Sequence, residues 1–176
     1  MVPQAPAEAA MTWFKRALWV GAALAAWETG WWLRRRMMRR SMYDAALAEA
    51  RRLGRPLVVV GAPDGGVTAG YGCGDVTIDL AGSTCPRSLA ADITKPLPFA
   101  DDSVVVFVAC VLEYVDDLPR AVAELSRISG GRMFVVRVEP WTLTAYLYPG
   151  ARRTISRGNL PQLASLGRVT PRLAGW

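Results

Sequence analysis

Four short, almost wholly apolar runs constrain the fold of this chain most: LVVVG at 57–61, VTIDL at 76–80, VVVFVAC at 104–110 and MFVVRV at 133–138. Each is too short for a helix and shows little polar alternation, the pattern of strands covered on both faces, and such strands belong to parallel sheets. Between the last two runs lies DDLPRAVAELSRISGG. There Asp117 stands where it can cap a helix and Pro119 falls in the first turn. Leu118, Val122, Leu125 and Ile128 share one face, and Gly130-Gly131 stops the helix. Arg127 lies off that face and reads as a solvent-side residue. Residues 56–140 are therefore expected to form an α/β domain with a mostly parallel sheet.

The amino-terminal third has a different character. Residues 17–33, ALWVGAALAAWETGWWL, are an apolar run with Lys15 and Arg16 before it and Arg34, Arg35, Arg36, Arg39 and Arg40 after it. Seventeen residues rise about 25 Å as a helix, and snorkelling of Lys15 and Arg34 would extend that reach toward the roughly 30 Å of a bilayer core. Trp13, Trp27, Trp31 and Trp32 stand near the ends, as interfacial anchors do. The run reads as a single transmembrane helix. The excess of arginine after it would place the carboxy-terminal domain in the cytoplasm. The spacings Gly21-Ala25 and Ala22-Ala26-Gly30 allow close approach of a partner helix, so a transmembrane partner or complex and membrane lipid are the expected partners. SMYDAALAEARRL, 41–53, continues the helix with Met42, Ala46, Leu47, Ala50 and Leu53 on one stripe, and Gly54 and Pro56 end it. The chain thus divides into a flank (1–16), a transmembrane helix (17–33), a basic juxtamembrane helix (34–55), the α/β domain (56–140) and a basic, aromatic carboxy-terminal tail (141–176).

Composition narrows the chemistry. The 176 residues contain no histidine, which removes Ser-His-Asp and Cys-His hydrolysis, His-ligated zinc and any imidazole base. The three cysteines, Cys73, Cys85 and Cys110, form no C-x-x-C pair and leave one over in any disulfide scheme, which points to a reducing compartment and to no metal. The net charge of +6 is uneven, because the central domain is acidic while both ends are basic. No nucleic-acid recognition motif accompanies that charge.

Ligands of open α/β sheets sit beyond the carboxyl ends of the strands. In this chain those ends are Gly61 to Gly66, Asp79, and Cys110 to Glu113. Glycine permits close backbone approach, and an acid at the end of the second strand can accept the hydroxyls of a ribose. If a base is needed, Asp64, Asp79, Asp92, Glu113, Cys110 and Tyr114 are the groups in the right region.

LPFADDSVVVFVACVLEYVDDLPRAVAELSRISGGRMFVV resembles the second half of class I S-adenosylmethionine-dependent methyltransferases. With VVVGAPDGG and VTIDL the resemblance covers about residues 57–140. It implies a reduced Rossmann-like sheet and S-adenosylmethionine as cofactor. The methionine part would lie at Gly61, Asp64 and Gly65, the ribose at Asp79 and the adenine at Asp92 and Ile93. Cys110 would join the cofactor-binding residues, and Cys110 to Tyr114 would lie toward the substrate. The chain departs from the family at Pro63 in the first loop, at the twelve residues between Asp79 and Asp92 where a helix usually stands, and at Val104-Val105 in place of Phe-Asp.

Two functions follow from the sequence. One is a membrane-anchored methyltransferase acting on a membrane-proximal acceptor. The other is a catalytically inactive subunit of methyltransferase fold with a structural or interaction role in a membrane complex. No single catalytic residue stands out. Trp141, Tyr146, Tyr148, Arg152 and Arg153 in the tail read as an amphipathic return to an anionic membrane face, with no further strand.

Overall fold

The computed structural model describes residues 5–63, 70–136 and 172–174. The elements are α1 (Ala5–Leu53), β1 (Leu57–Val60), β2 (Val76–Asp79), β3 (Ser88–Ala90), β4 (Val105–Ala109), α2 (Leu118–Ser129), β5 (Met133–Val136) and β6 (Arg172–Ala174). The strands form one sheet in the order β3-β2-β1-β4-β5-β6, and every pairing in it is parallel. Neighbouring strands that are not consecutive in the chain require crossovers, and this order is that of a Rossmann-like α/β fold.

The strands are fully apolar because both faces are covered. Side chains alternate across a strand. Val58, Val60, Val106, Val108 and Val135 accordingly pack with Ala121, Val122, Leu125 and Ile128 of α2. Leu57, Val59, Val105, Phe107 and Val136 pack instead with Tyr43, Ala46 and Ala50 of α1. Met42, Leu47 and Leu53 join that second cluster at its edge, so the apolar stripe expected over 41–53 is the face laid on the sheet.

Helix α2 follows its sequence signals. The Asp117 side chain accepts from the Arg120 N–H at 3.1 Å. Gly130 turns left-handed at φ 58°, and its own N–H is donated to the Ser126 carbonyl. Arg127, by contrast, is not a solvent-side bystander. Its guanidinium donates to both oxygens of Glu124, to Asp101 and to the carbonyls of Phe99 and Leu97, tying the β3–β4 connection to α2. One stripe position cannot reveal this, because the partners are backbone groups about thirty residues earlier.

Three expectations are corrected. Residues 17–33 are helical, but among the described residues no helix is long and apolar enough to cross a membrane. The run is shorter than the roughly 20 apolar residues a span requires, and Glu28, Thr29, two glycines and several weakly hydropathic tryptophans dilute it. The single-pass anchor and the cytoplasmic orientation built on it are set aside. Second, Cys73 and Cys85 are joined in a disulfide across a Cα–Cα distance of 5.7 Å, with Cys110 outside that bond. Their spacing matches no short motif; the fold of the intervening strand brings them within bonding geometry. Third, the tail contributes β6, which adds to β5 with Phe134 opposite Arg172. The rest of the tail lies outside the described residues. The twelve residues between Asp79 and Asp92, room enough for a loop and a short strand, hold β3, SLA, whose exposed, intermediate and exposed residues carry no apolar signal to locate it.

The chain divides into compact units at residues 1–35 and 36–176. In the first, the helix exposes Trp13, Phe14, Leu18, Trp19, Val20, Leu24 and Trp27. The part of α1 laid on the sheet belongs to the second.

Two outcomes test this core. Leu125 is fully buried against the sheet, so Leu125→Asp should lower unfolding free energy by more than about 3 kcal/mol. Ala123→Asp, on the exposed side of the same helix, should cost less than about 1 kcal/mol. Urea denaturation of both variants distinguishes this helix phase from any other. The hydrogen bond from Arg127 also holds the Glu124 carboxyl below its ordinary range. A group depressed in the folded state stabilises above its unfolded value, and that contribution is lost as pH falls through the lower folded value. Glu124→Gln should therefore be less stable than wild type at neutral pH, with the gap closing below about pH 4 in acid titration followed by circular dichroism.

Candidate functional site

Beyond the carboxyl ends of β1 and β2 lies a cavity of about 290 Å³. Gly61 and Asp79 contribute from those two strands, Asp92 and Ile93 from the segment after β3, and Val111 and Tyr114 from the segment after β4. The parallel sheet produces this convergence, because all its strands end on the same side.

Gly61 has to be glycine on two counts. Its φ is 98°, and a Cβ there would stand 2.7 Å from Val111 Cγ2 and 3.3 Å from the Ala109 carbonyl oxygen. The turn it makes donates the Gly61 N–H to the Ile78 carbonyl at 2.9 Å. Asp79 then closes the turn from the neighbouring strand: its Oδ2 accepts from the Ala62 N–H at 2.9 Å and its Oδ1 from the Ala81 N–H at 3.0 Å. Each carboxylate oxygen has a second acceptor position left for a ligand.

Asp92 is held by its own turn. Its Oδ1 accepts from the Thr94 hydroxyl at 2.7 Å and the Thr94 N–H at 2.9 Å. The hydroxyl bond, followed by the backbone bond, pulls this carboxyl below its ordinary range. Ile93 is buried in the α2-side core and shows only its edge to the cavity.

Cys110 takes a different position. It ends β4 at φ 54°, donates its N–H to the Val136 carbonyl, and packs beside the α1-side cluster. Its sulfur accepts from Arg39 Nη2 at 3.3 Å. It is not among the residues lining the cavity. Glu113 is almost fully buried, whereas Tyr114 reaches the cavity wall. Asp64 and Gly65 lie outside the described residues, so the structure brings together Gly61, Asp79, Asp92 and Ile93 of the expected set.

Two contributors were missed from sequence. Tyr71 packs on Phe107, with ring centroids 5.2 Å apart, and its hydroxyl donates to the Ala62 carbonyl at 3.3 Å, which supports the Gly61 turn from behind. A lone aromatic residue among the glycines of 65–74 is the only signal for it. Arg39 reaches Cys110 across 71 residues of sequence, and within an arginine-rich stretch nothing marks it out.

With this geometry in view, comparison with known proteins adds one finding. Residues 71–135 match the methyltransferase domain family. This is a class I, S-adenosylmethionine-dependent family. The matched segment holds β2, β3, β4, α2 and nearly all of β5, and it leaves out β1 and the Gly61 turn. No curated protein and no solved structure matches the chain. Among the described residues no cluster of three His, Cys, Asp or Glu side chains could hold a metal ion.

The close approach at Gly61 has a measurable consequence. Gly61→Ala should destabilise the domain by about 1–3 kcal/mol, through the positive φ and the clash with Val111. Thermal denaturation beside the wild type checks it.

Proposed function

We propose that this chain is an S-adenosylmethionine-dependent methyltransferase whose described cavity receives the nucleoside end of the cofactor. The observation that carries this reading is the placement of Asp79 and Asp92 on the walls of one cavity, beyond the strand ends, in a segment matching the methyltransferase domain family. A cavity of about 290 Å³ falls at the small end of the roughly 300–1,000 Å³ usual for ligand sites. It therefore suits part of the cofactor, and the remainder would extend along the turn at Gly61.

The residues fit such a group. Asp79 offers a free acceptor position on each oxygen to the ribose hydroxyls, already oriented by Ala62 and Ala81. Gly61 lets the backbone approach without a side chain in the way. Ile93, with Ile78 and Val60, supplies an apolar wall for a planar base, and Asp92 stands at its edge. When bound, S-adenosylmethionine supplies an electrophilic methyl group on a sulfonium. The protein then has only to hold an acceptor nucleophile in line and exclude water. Tyr114 on the β4 side of the cavity is the side chain placed to position that acceptor.

Titration calorimetry with S-adenosylhomocysteine tests the assignment. Wild type should bind, and Asp79→Asn should weaken binding about tenfold, since one charge-assisted hydrogen bond contributes about 1.5–3 kcal/mol and 1.4 kcal/mol is a factor of ten. Asp101→Asn, which loses an exposed ion pair to Arg127, should bind as wild type does. Equal affinities for the two variants would move the ribose elsewhere. Absence of binding by the folded wild type would favour the inactive-subunit reading.

A further inference from the structure

The connection from β2 to β3 is unusually brief. Parallel strands are normally joined by a crossover of a dozen or more residues, most often a helix. Here residues 80–87 make the return alone, and no helix lies between β2 and β3. The disulfide between Cys73 and Cys85 performs the task a packed helix would otherwise perform. It joins the segment entering β2 to the segment entering β3, closing a loop of sequence separation 12 around β2.

The bond lies at the amino ends of β2 and β3, and each strand runs from it toward the cavity, β2 to Asp79 and β3 to the segment that bears Asp92. Cys73 belongs to the stretch whose Tyr71 hydroxyl holds the Ala62 carbonyl, and its own carbonyl accepts from the Tyr43 hydroxyl at 2.7 Å. Cys85 lies midway between Asp79 and Asp92, the two acids of the cavity wall. Strand β3 itself is a three-residue edge held by one neighbour, and the turn before it is fastened, besides the disulfide, by N–H groups of Ala81 and Gly82 donating to Asp79 and by Ser83 donating to Ser88 Oγ. The two sulfurs differ in access: Cys73 is an exposed residue, whereas Cys85 is buried at 6 % exposure.

We propose that Cys73–Cys85 is a reversible thiol–disulfide modification site, reduced by a dithiol, and that its state governs the order of the cofactor cavity. A dithiol thiolate attacks the exposed Cys73 sulfur. The Cys73–Cys85 bond breaks, the electron pair leaves on the Cys85 sulfur, and that sulfur takes up a proton. The second thiol of the reductant then cleaves the mixed disulfide at Cys73. The chain gains two thiols and the dithiol becomes its cyclic disulfide. Reduction frees residues 80–87 to leave the sheet edge and loosens Asp79 and Asp92 while the two-sided core over β1, β4 and β5 stays intact. The part concerning the cofactor rests on the function proposed above; the part concerning order does not.

The test is hydrogen exchange on the full chain before and after dithiothreitol, with thiols counted by alkylation. Alkylation should rise from one cysteine to three. Amide protection over 80–92 should fall about tenfold or more while 105–109 and 118–129 keep theirs. Affinity for S-adenosylhomocysteine should fall in parallel, and reoxidation should restore both. Cys110→Ser should respond like wild type, whereas Cys85→Ser should resemble the reduced chain without treatment. Three outcomes would overturn the proposal: resistance of the bond to dithiothreitol, unchanged protection over 80–92 after two thiols appear, or loss of protection across the whole domain. Failure of the oxidised chain to bind S-adenosylhomocysteine would count against the proposed function alone, because the exchange measurement decides this proposal by itself.

Discussion

The two-sided burial of β1 and β4 is the constraint on which the domain is built. Val58, Val60, Val106 and Val108 look toward α2, and Leu57, Val59, Val105 and Phe107 look toward α1. Neither strand has a polar side chain to give to solvent, so each must have a layer above and a layer below. The second half of α1 and the whole of α2 supply those layers. The hydrophobic contribution scales with apolar area removed from water, about 25 cal/mol per Å², and these central strands remove nearly all of theirs.

Polar groups are arranged around that core so that the loops follow the strands. At the end of the sheet opposite the cavity, Arg55 and Arg132 both reach Asp102, which adopts positive φ beside the Gly130 turn. The Arg55 hydrogen bond is the first cause of a depressed Asp102 carboxyl. At the cavity end, the Asp79 carboxylate accepts the N–H groups of Ala62 and Ala81 and so fixes the turns that follow β1 and β2.

How much of this was legible in the sequence depends on whether a feature is written locally. The four apolar runs became β1, β2, β4 and β5, and Asp117, Pro119 and Gly130 bounded α2, because run length and capping act within a few residues. Asp79 was identifiable because it ends a legible strand, whereas Asp92 came only from the resemblance to class I methyltransferases. Strand β3 could not be placed, since SLA is too short and too polar to show a period. The disulfide, the reach of Arg127 to the Leu97 and Phe99 carbonyls, and the contact of Arg39 with Cys110 are products of tertiary folding, with partners from 12 to 71 residues away. The apolar run at 17–33 misled for a different reason: tryptophans give a segment bulk and an anchor-like look while adding little hydropathy, and Glu28 subtracts from the rest.

The strand order carries a kinetic implication. Because β1 lies between β2 and β4, the stripe of α1 at Tyr43, Ala46 and Ala50 has no complete surface to rest on until Val105 and Phe107 have been made and threaded alongside Leu57 and Val59. A nascent chain leaving the ribosome therefore carries its longest helix well ahead of the strand that completes its seat. Closing so wide a loop is entropically slow. The interval before β4 arrives is the period in which this polypeptide is most open to chaperones and to wrong partners.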